Sequence, residues 1–252
     1  MRVAVTIIYN GLHHLLHRDF ARFMAENFDY WAVVDGLSQN GGSTKWCNKV
    51  DGKPHSTDGS VEFMRKFIAT HPNVLYKVAT MPFKSKDHQV NEAVEMLRRK
   101  VKHGYLWQVD VDEKWTAEDL DKAERLLADS LMREASFRFN HYVGQNLLAV
   151  GTWGSGYVSR LFKWRGQRFA SHEPARMDTR GRTLKIDEVR FDHYSYAFEQ
   201  DVLFKDTYYG GYSGIHSKWL SLQMMTDFPQ PLSSLMPETT RDYNDTTQIV
   251  RI

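Results

Sequence analysis

Over the first 131 positions, short unbroken apolar runs alternate with longer amphipathic stretches. The runs "RVAVTIIY" (2–9), "YWAVVD" (30–35), "NVLYKVA" (73–79) and "YLWQVDVD" (105–112) are rich in β-branched and aromatic residues and predict buried strands. Between and after them, "HHLLHRDFARFMAENF" (13–28), "STDGSVEFMRKFIATH" (56–71), "KDHQVNEAVEMLRRKVKHG" (86–104) and "TAEDLDKAERLLADSL" (116–131) space their apolar residues as helices do. Their ends agree with this reading. The third closes on Lys/Arg and Gly104, and the fourth opens on Thr116 with Asp119 three residues on. Strand and helix in strict alternation predict parallel strands joined by right-handed crossovers. Strands this apolar predict a sheet covered on both faces.

After about residue 132 the pattern changes. "ASFRFNHYVG" (135–144) and "GYVSRLFKW" (156–164) read as antiparallel strands separated by "QNLLAVGTWGSG" (145–156). A Gly/Arg-rich loop (166–185), the run "VRFDHYSYAF" (189–198) and a helix over "EQDVLFKDTYYG" (199–210) follow. With no Pro/Ser linker between the halves, the chain reads as a single domain. Residues 1–131 read as a regular first half, 132–228 as a less regular second half, and 229–252 as a loosely attached tail.

The 252 residues, 42% hydrophobic, suffice for one sizeable core. A formal net charge of +2 is no basic footprint, so nucleic acid is not an expected partner. One cysteine, Cys47, cannot form an internal disulfide, which suits a reducing compartment. The start "MRVAVTIIYNG" lacks the build of a signal peptide, and no stretch reaches the roughly 18 apolar residues of a membrane span, so a cytoplasmic protein is expected.

In open parallel sheets ligands sit beyond the carboxyl ends of the strands. Those ends offer Tyr9, Asn10 and Gly11; Asp35 and Gly36; Lys84; and Asp110, Asp112 and Glu113. Asp110 and Asp112 stand two apart, so on a continued strand they share one face about 7 Å apart. Two like charges there call for a cation between them, and Mg²⁺ or Mn²⁺ takes one or two carboxylates and fills its shell with phosphate oxygens and water. Asp35 could accept from a base N–H or a ribose hydroxyl, or simply form an Asp-Gly turn. Lys84 and Lys86, with Asn91 in the helix they precede, could bind phosphate. In the second half, "SHEPAR" (171–176) brings His172 and Glu173, and "DHYSY" (192–196) brings His193 and Tyr194. Glu173 could deprotonate an acceptor hydroxyl, or form a loop ion pair with Arg176 or Arg180. His193 could complete a metal shell. Trp153 in "TWGSGY" (152–157), with His172 and Tyr194, could line an acceptor site. His13 and His17, at i and i+4, have zinc-ligand spacing but no acid or cysteine near them in sequence, and read as an exposed helix face.

The pieces "VAVTIIYNG", "WAVVDGLSQNGGST", "KDHQVNEAV" and "YLWQVDVDEKW", in this order, resemble the sugar-nucleotide-dependent glycosyltransferases of the GT-A fold, in their family-2-like group. The resemblance covers residues 1–130, with "HYSYAFEQDVLFKDTYYG" (193–210) a less specific C-terminal likeness. It implies an α/β fold with a Rossmann-like, mostly parallel sheet and helices on both faces, followed by a smaller, less regular mixed half. It further implies Asp35 near the donor base, Asp110 and Asp112 as an Asp-x-Asp motif holding Mn²⁺ or Mg²⁺ on the donor diphosphate, and His193 as a further metal ligand. The expected activity is sugar transfer from a nucleoside-diphosphate sugar to a glycan or other hydroxyl acceptor, with inversion. The Glu-Asp pair that marks the base in inverting members is absent; Glu173 is the nearest substitute, with Asp187 and Glu188 as competitors. Two other classes compete. A sugar-phosphate nucleotidyltransferase calls for a Gly-rich basic loop after the first strand, which "NGLHHLLHR" lacks. A non-catalytic carbohydrate-binding protein needs only the aromatics.

Overall fold

The computed structural model describes residues 1–154, 156–178, 181–236 and 246–252. The expected alternation is present: β1 (Arg2–Ile8), α1 (Leu12–Leu16), α2 (Phe20–Asn27), β2 (Tyr30–Asp35), α3 (Ser60–Ile68), β3 (Val74–Val78), α4 (Lys86–Arg98) and β4 (Gly104–Gln108). The two-residue strand β5 (Glu113–Lys114) then leads into α5 (Ala117–Ala128). The second half adds β6 (Glu134–Gly144), β7 (Leu147–Gly151), β8 (Val158–Trp164), β9 (Phe169–Ser171), β10 (Arg176–Met177), β11 (Thr183–His193), α6 (Glu199–Tyr208), α7 (Ile215–Met224), β12 (Gln230–Pro231) and β13 (Thr247–Arg251).

The main sheet runs β12-β13-β7-β6-β8-β4-β1-β2-β3, with β11 beside β6 and β5 beside β11. Strands β4, β1, β2 and β3 are parallel. From β8 outward the main ladder is antiparallel, and β11 alone returns to parallel pairing, on β6. The α/β fold expected of a GT-A type sheet, with a mixed and less regular second half, is therefore met. Helices α2, α3 and α5 cover one face around Trp31, Met64, Trp107, Leu120 and Phe137. Helix α4 and the β9–β10 hairpin cover the other around Val5, Val34, Val94, Leu106 and Trp164.

Several boundaries differ from the sequence reading. The helix expected over 13–28 breaks where Arg18 and Asp19 adopt positive φ (50° and 54°), so α1 stops after Leu16. The stretch 145–156 is not only a separator, because Leu147–Gly151 pair with both β6 and β13. The 166–185 loop contains β9 and β10. The tail is not loose: Leu232, Leu235, Met236 and Ile249 are buried against Val143 and Trp219, and burial of this kind ties a segment down. Residues 237–245 of that tail lie outside the described residues.

Two glycines shape the edge facing the ligand side. A Cβ on Gly36 would come within 2.6 Å of the Phe83 ring, so the chain leaving β2 passes that ring only without a side chain. Gly42 has φ +58°, and a Cβ there would lie 1.9 Å from Asp87 Oδ2. That carboxylate accepts from the Ser43 and His172 backbone N–H groups, each at 2.7 Å, and so joins the 36–56 loop to the second half.

Candidate active site

Strand β4 makes its last ladder pair at Trp107↔Leu161 with β8, and β5 begins at Glu113. Between them Val109–Asp112 form a turn closed by Glu113 N–H donating to Asp110 O at 3.0 Å. The sequence placed Asp110 and Asp112 on one strand face; the structure corrects this, because the chain has already left the ladder and the two acids take different partners. Beneath the turn lies an aromatic block: Trp115 packs on Trp107 at 5.1 Å and on Phe191 at 4.5 Å between ring centroids. Thr6 Oγ1 donates to Val109 O and accepts from Trp31 Nε1, both at 2.8 Å, fixing the start of the turn in the core.

Asp110 Oδ2 lies 3.1 Å from Arg160 of β8, and its Oδ1 lies 3.5 Å from His172 Nε2. The same guanidinium reaches Glu113 Oε1 at 2.7 Å. Glu113 has no exposed surface, and Trp115 Nε1 donates to its other oxygen at 3.3 Å. Burial pushes the Glu113 carboxyl up to about 7, against the pull of Arg160. For Asp110 burial also acts upward, but Arg160 and His172 outweigh it and hold the carboxyl well below its ordinary range. Asp112 Oδ2 lies 3.4 Å from His193 Nε2, because β5 and β11 pair with His193 opposite Glu113. Here burial again acts upward on the acid, and His193 outweighs it, holding Asp112 well below its ordinary range. For His193 burial acts downward and Asp112 outweighs it, so that imidazole is raised.

Asp110, Asp112, Arg160, His172 and His193 line a cavity of about 460 Å³ at the carboxyl edge of β1, β2 and β4, with Glu113 buried behind them. Of the residues expected at the site, Tyr9, Lys86, Asp110, Asp112, Trp153, His172, Glu173 and His193 line it. Lys86 Nζ is 3.4 Å from Glu173 Oε2 and stands 5.9 Å from the Tyr208 and Tyr209 ring centroids. Burial raises the Glu173 carboxyl, but Lys86 and His172 outweigh it, so Glu173 is ionised at neutral pH. Trp153 stacks on His141 at 4.0 Å, and His141 lies flat against His193 at 5.2 Å.

The other expected residues do not line the cavity, each for a local reason. Asp35 is fully buried; its carboxylate accepts from Ser56 N–H at 2.7 Å and Tyr76 O–H at 3.2 Å, which anchors the 51–58 segment. Asn10, in a left-handed conformation, accepts from Thr57 N–H and holds the same segment. The Asn91 side chain pairs with the Phe169 backbone at 2.9 and 2.8 Å, stapling α4 to β9. Lys84 is exposed outside the cavity. Tyr194 is buried, stacked on Tyr142 at 4.3 Å. The N-terminal end of α4, expected to favour phosphate, is capped by Ser85, whose Oγ accepts from the His88 N–H at 3.2 Å, and it already carries Asp87 in its first turn. Asp187 and Glu188 lie outside the cavity, and Arg180 falls outside the described residues.

Several lining residues went unread in the sequence. Arg160 carries a signal, a charge inside the strand pattern "VSRLFKW", and it is buried. His141 sits likewise within "FRFNHYVG". Ser195, Tyr196, Asp201, Lys205, Tyr208 and Tyr209, all within 193–210, form a large part of the wall. Gln89, in the first turns of α4, also lines the cavity. Its side chain donates to the Val34 and Gly36 carbonyls at 2.9 and 3.0 Å, pinning the end of β2 beside the cavity.

The donor set suits a hard or borderline divalent ion: two partly exposed carboxylates with imidazoles beside them. His172 Nδ1 and His193 Nδ1 are buried without hydrogen-bond partners among the described residues, and orphaned ring nitrogens beside acids fit a ligand site.

No protein-family model matches this chain, and no curated protein matches it. Among solved structures, residues 1–349 of TarS from S. aureus are 13% identical to it with a TM-score of 0.47. That match covers 81% of this chain and 64% of the other, so the chain spans under two thirds of the TarS structure's length. The same TarS segment in complex with UDP-GlcNAc matches at 14% identity and a TM-score of 0.44, over 81% and 64% of the two chains. The 2-C-methyl-D-erythritol 4-phosphate cytidylyltransferase IspD of Francisella tularensis matches at 10% and 0.34, over 93% of this chain and 85% of that one.

Proposed function

We propose that the protein is a metal-dependent glycosyltransferase, moving a sugar from a nucleoside-diphosphate sugar to an acceptor hydroxyl, with a glycan as the expected acceptor. The observation that carries the reading is the pair of ionised carboxylates, Asp110 and Asp112, where β4 leaves the parallel sheet, partly exposed in one cavity with basic groups around them. Asp110, Asp112 and His193 would hold Mn²⁺ or Mg²⁺, which offsets the charge developing on a departing diphosphate. Lys86, on the cavity wall, adds a fixed positive charge for the same group. Tyr9 and Trp46 offer flat faces at the donor side, and Trp153 with His141 offers one at the acceptor side. Glu173 is the base of this reading. It is ionised, faces the cavity, and accepts the acceptor's hydroxyl proton as the oxygen attacks the anomeric carbon. Attack from the face opposite the leaving group gives inversion.

The test is a thermal-shift panel of nucleoside diphosphates with and without Mn²⁺, on the parent and on Asp112→Asn. At a concentration of 100 Kd, binding adds about 2.7 kcal/mol. In a chain of this size that raises Tm by about 5–10 °C. One nucleotide shifting the parent only with Mn²⁺, and failing to shift Asp112→Asn, supports the reading. A panel with no metal-dependent shift, or one that Asp112→Asn leaves intact, overturns it.

A further inference from the structure

The histidines of α1 have an acid after all, supplied by the fold and not by the neighbouring sequence. His13 Nε2 lies 3.1 Å from Asp201 Oδ1, and His14 Nε2 lies 2.7 Å from Asp201 Oδ2. Among the described residues, this is the group of three His, Cys, Asp or Glu whose ligand atoms all fall within 4.8 Å of one another; Asp110, Asp112 and His193 do not converge so closely. The exposed helix face read for His13 and His17 is not formed: the helix breaks after Leu16, and His17 packs on Tyr194 at 4.8 Å, away from this group.

The three side chains are held as a unit. His14 is 2% exposed, while the His13 and Asp201 side chains keep 18% and 17% of their surface. Phe198 sets its ring edge-on to both imidazoles at 5.1 Å, which fixes their planes. Phe198 is also the N-cap residue of α6, and the Asp201 N–H donates to its carbonyl at 3.2 Å, so ring and carboxylate belong to one helix end. His14 and Asp201 face the cavity.

We propose that His13, His14 and Asp201 form a binding site for a transition-metal dication of the zinc type, distinct from the Asp110–Asp112 site. Two imidazoles and one carboxylate select Zn²⁺, Co²⁺ or Ni²⁺ over Mg²⁺ and Ca²⁺, which prefer all-oxygen shells. Metal–ligand bonds of about 2.0–2.1 Å in a tetrahedral shell need ligand atoms roughly 3.4 Å apart, and the three ligand atoms here all lie within 4.8 Å of one another. Without the ion, each ring N–H donates to a carboxylate oxygen. With it, both Nε2 lone pairs and one carboxylate oxygen go to the metal, and the ring protons reside on Nδ1. Three protein ligands leave a coordination position for water or a cavity-bound ligand. The inference does not depend on the proposed transfer reaction.

Metal-free protein is titrated with Zn²⁺ by calorimetry, and with Co²⁺ by visible absorption to read coordination geometry. The variants are Asp112→Asn, which silences the other site, and His13→Gln and Asp201→Asn, each checked for fold by circular dichroism. The expected result is one tight equivalent of Zn²⁺ in the parent and in Asp112→Asn, weakened at least 100-fold in His13→Gln and Asp201→Asn. Tetrahedral Co²⁺ bands are lost in the same two variants. Folded His13→Gln and Asp201→Asn proteins that keep parental zinc affinity, or an Asp112→Asn protein that alone loses it, overturn the site.

Discussion

Arg160→Met isolates the ion pair beneath the acidic turn. The guanidinium is 9% exposed and touches Glu113 at 2.7 Å and Asp110 at 3.1 Å. Asp110 keeps water and His172 when the arginine is removed, whereas Glu113, with no exposed surface, keeps only the Trp115 N–H. Stranding one member of a buried pair costs about 3–5 kcal/mol. At about 2–4 °C per kcal/mol for a chain of this length, Tm falls by about 6–20 °C. Glu113→Gln added to Arg160→Met removes the stranded charge and recovers most of the loss; Glu113→Gln alone costs less than Arg160→Met, because Arg160 still holds Asp110. All four proteins of this cycle are compared by thermal and urea unfolding at pH 9, where Glu113, at about 7 in the parent, is ionised and removal of Arg160 leaves a charge to strand. An Arg160→Met protein melting within about 2 °C of the parent would refute the claim that Arg160 compensates a buried charge.

Two further outcomes follow from the loop over the cavity. Gly42→Ala forces a side chain into the left-handed region and onto Asp87 Oδ2. At about 1–2 kcal/mol for the backbone alone, Tm falls by at least about 2–4 °C, and unchanged unfolding contradicts the placement. Cys47 is 3% exposed, and burial pushes its thiol up to about 11, so at pH 8 only about one thiolate in a thousand is present. Iodoacetamide therefore labels it in urea and not in the folded protein; rapid labelling under native conditions contradicts this.

The parallel half of the sheet was legible because buried strands and amphipathic helices follow different periods, and the acids ending the fourth run marked the ligand edge. The length of that run was misread. Val109 and Val111 continue the alternation past Gln108, but β4 stops at Gln108 although β1 and β8 both run on, and the chain turns there, closed by the Glu113 N–H bond to the Asp110 carbonyl. Asp35 was legible as a strand-end acid; what removes it from the cavity is Ser56 and Tyr76, and no local pattern announces a partner 21 or 41 residues away. The same limit hid Asp201 from His13 and His14, 188 and 187 residues apart. Arg160 and His141 were visible as polar residues in apolar strands, and their meaning came only with the register that set β8 against β4 and His141 against His193.

Because Arg160 sits 47 and 50 residues beyond the two acids it grips, the first 131 residues cannot be lifted out as a self-sufficient module. Grafted onto another scaffold, they would carry a buried glutamate with nothing to neutralise it. Any recombination of this chain must therefore transplant the return strand together with the acidic turn, or replace both at once.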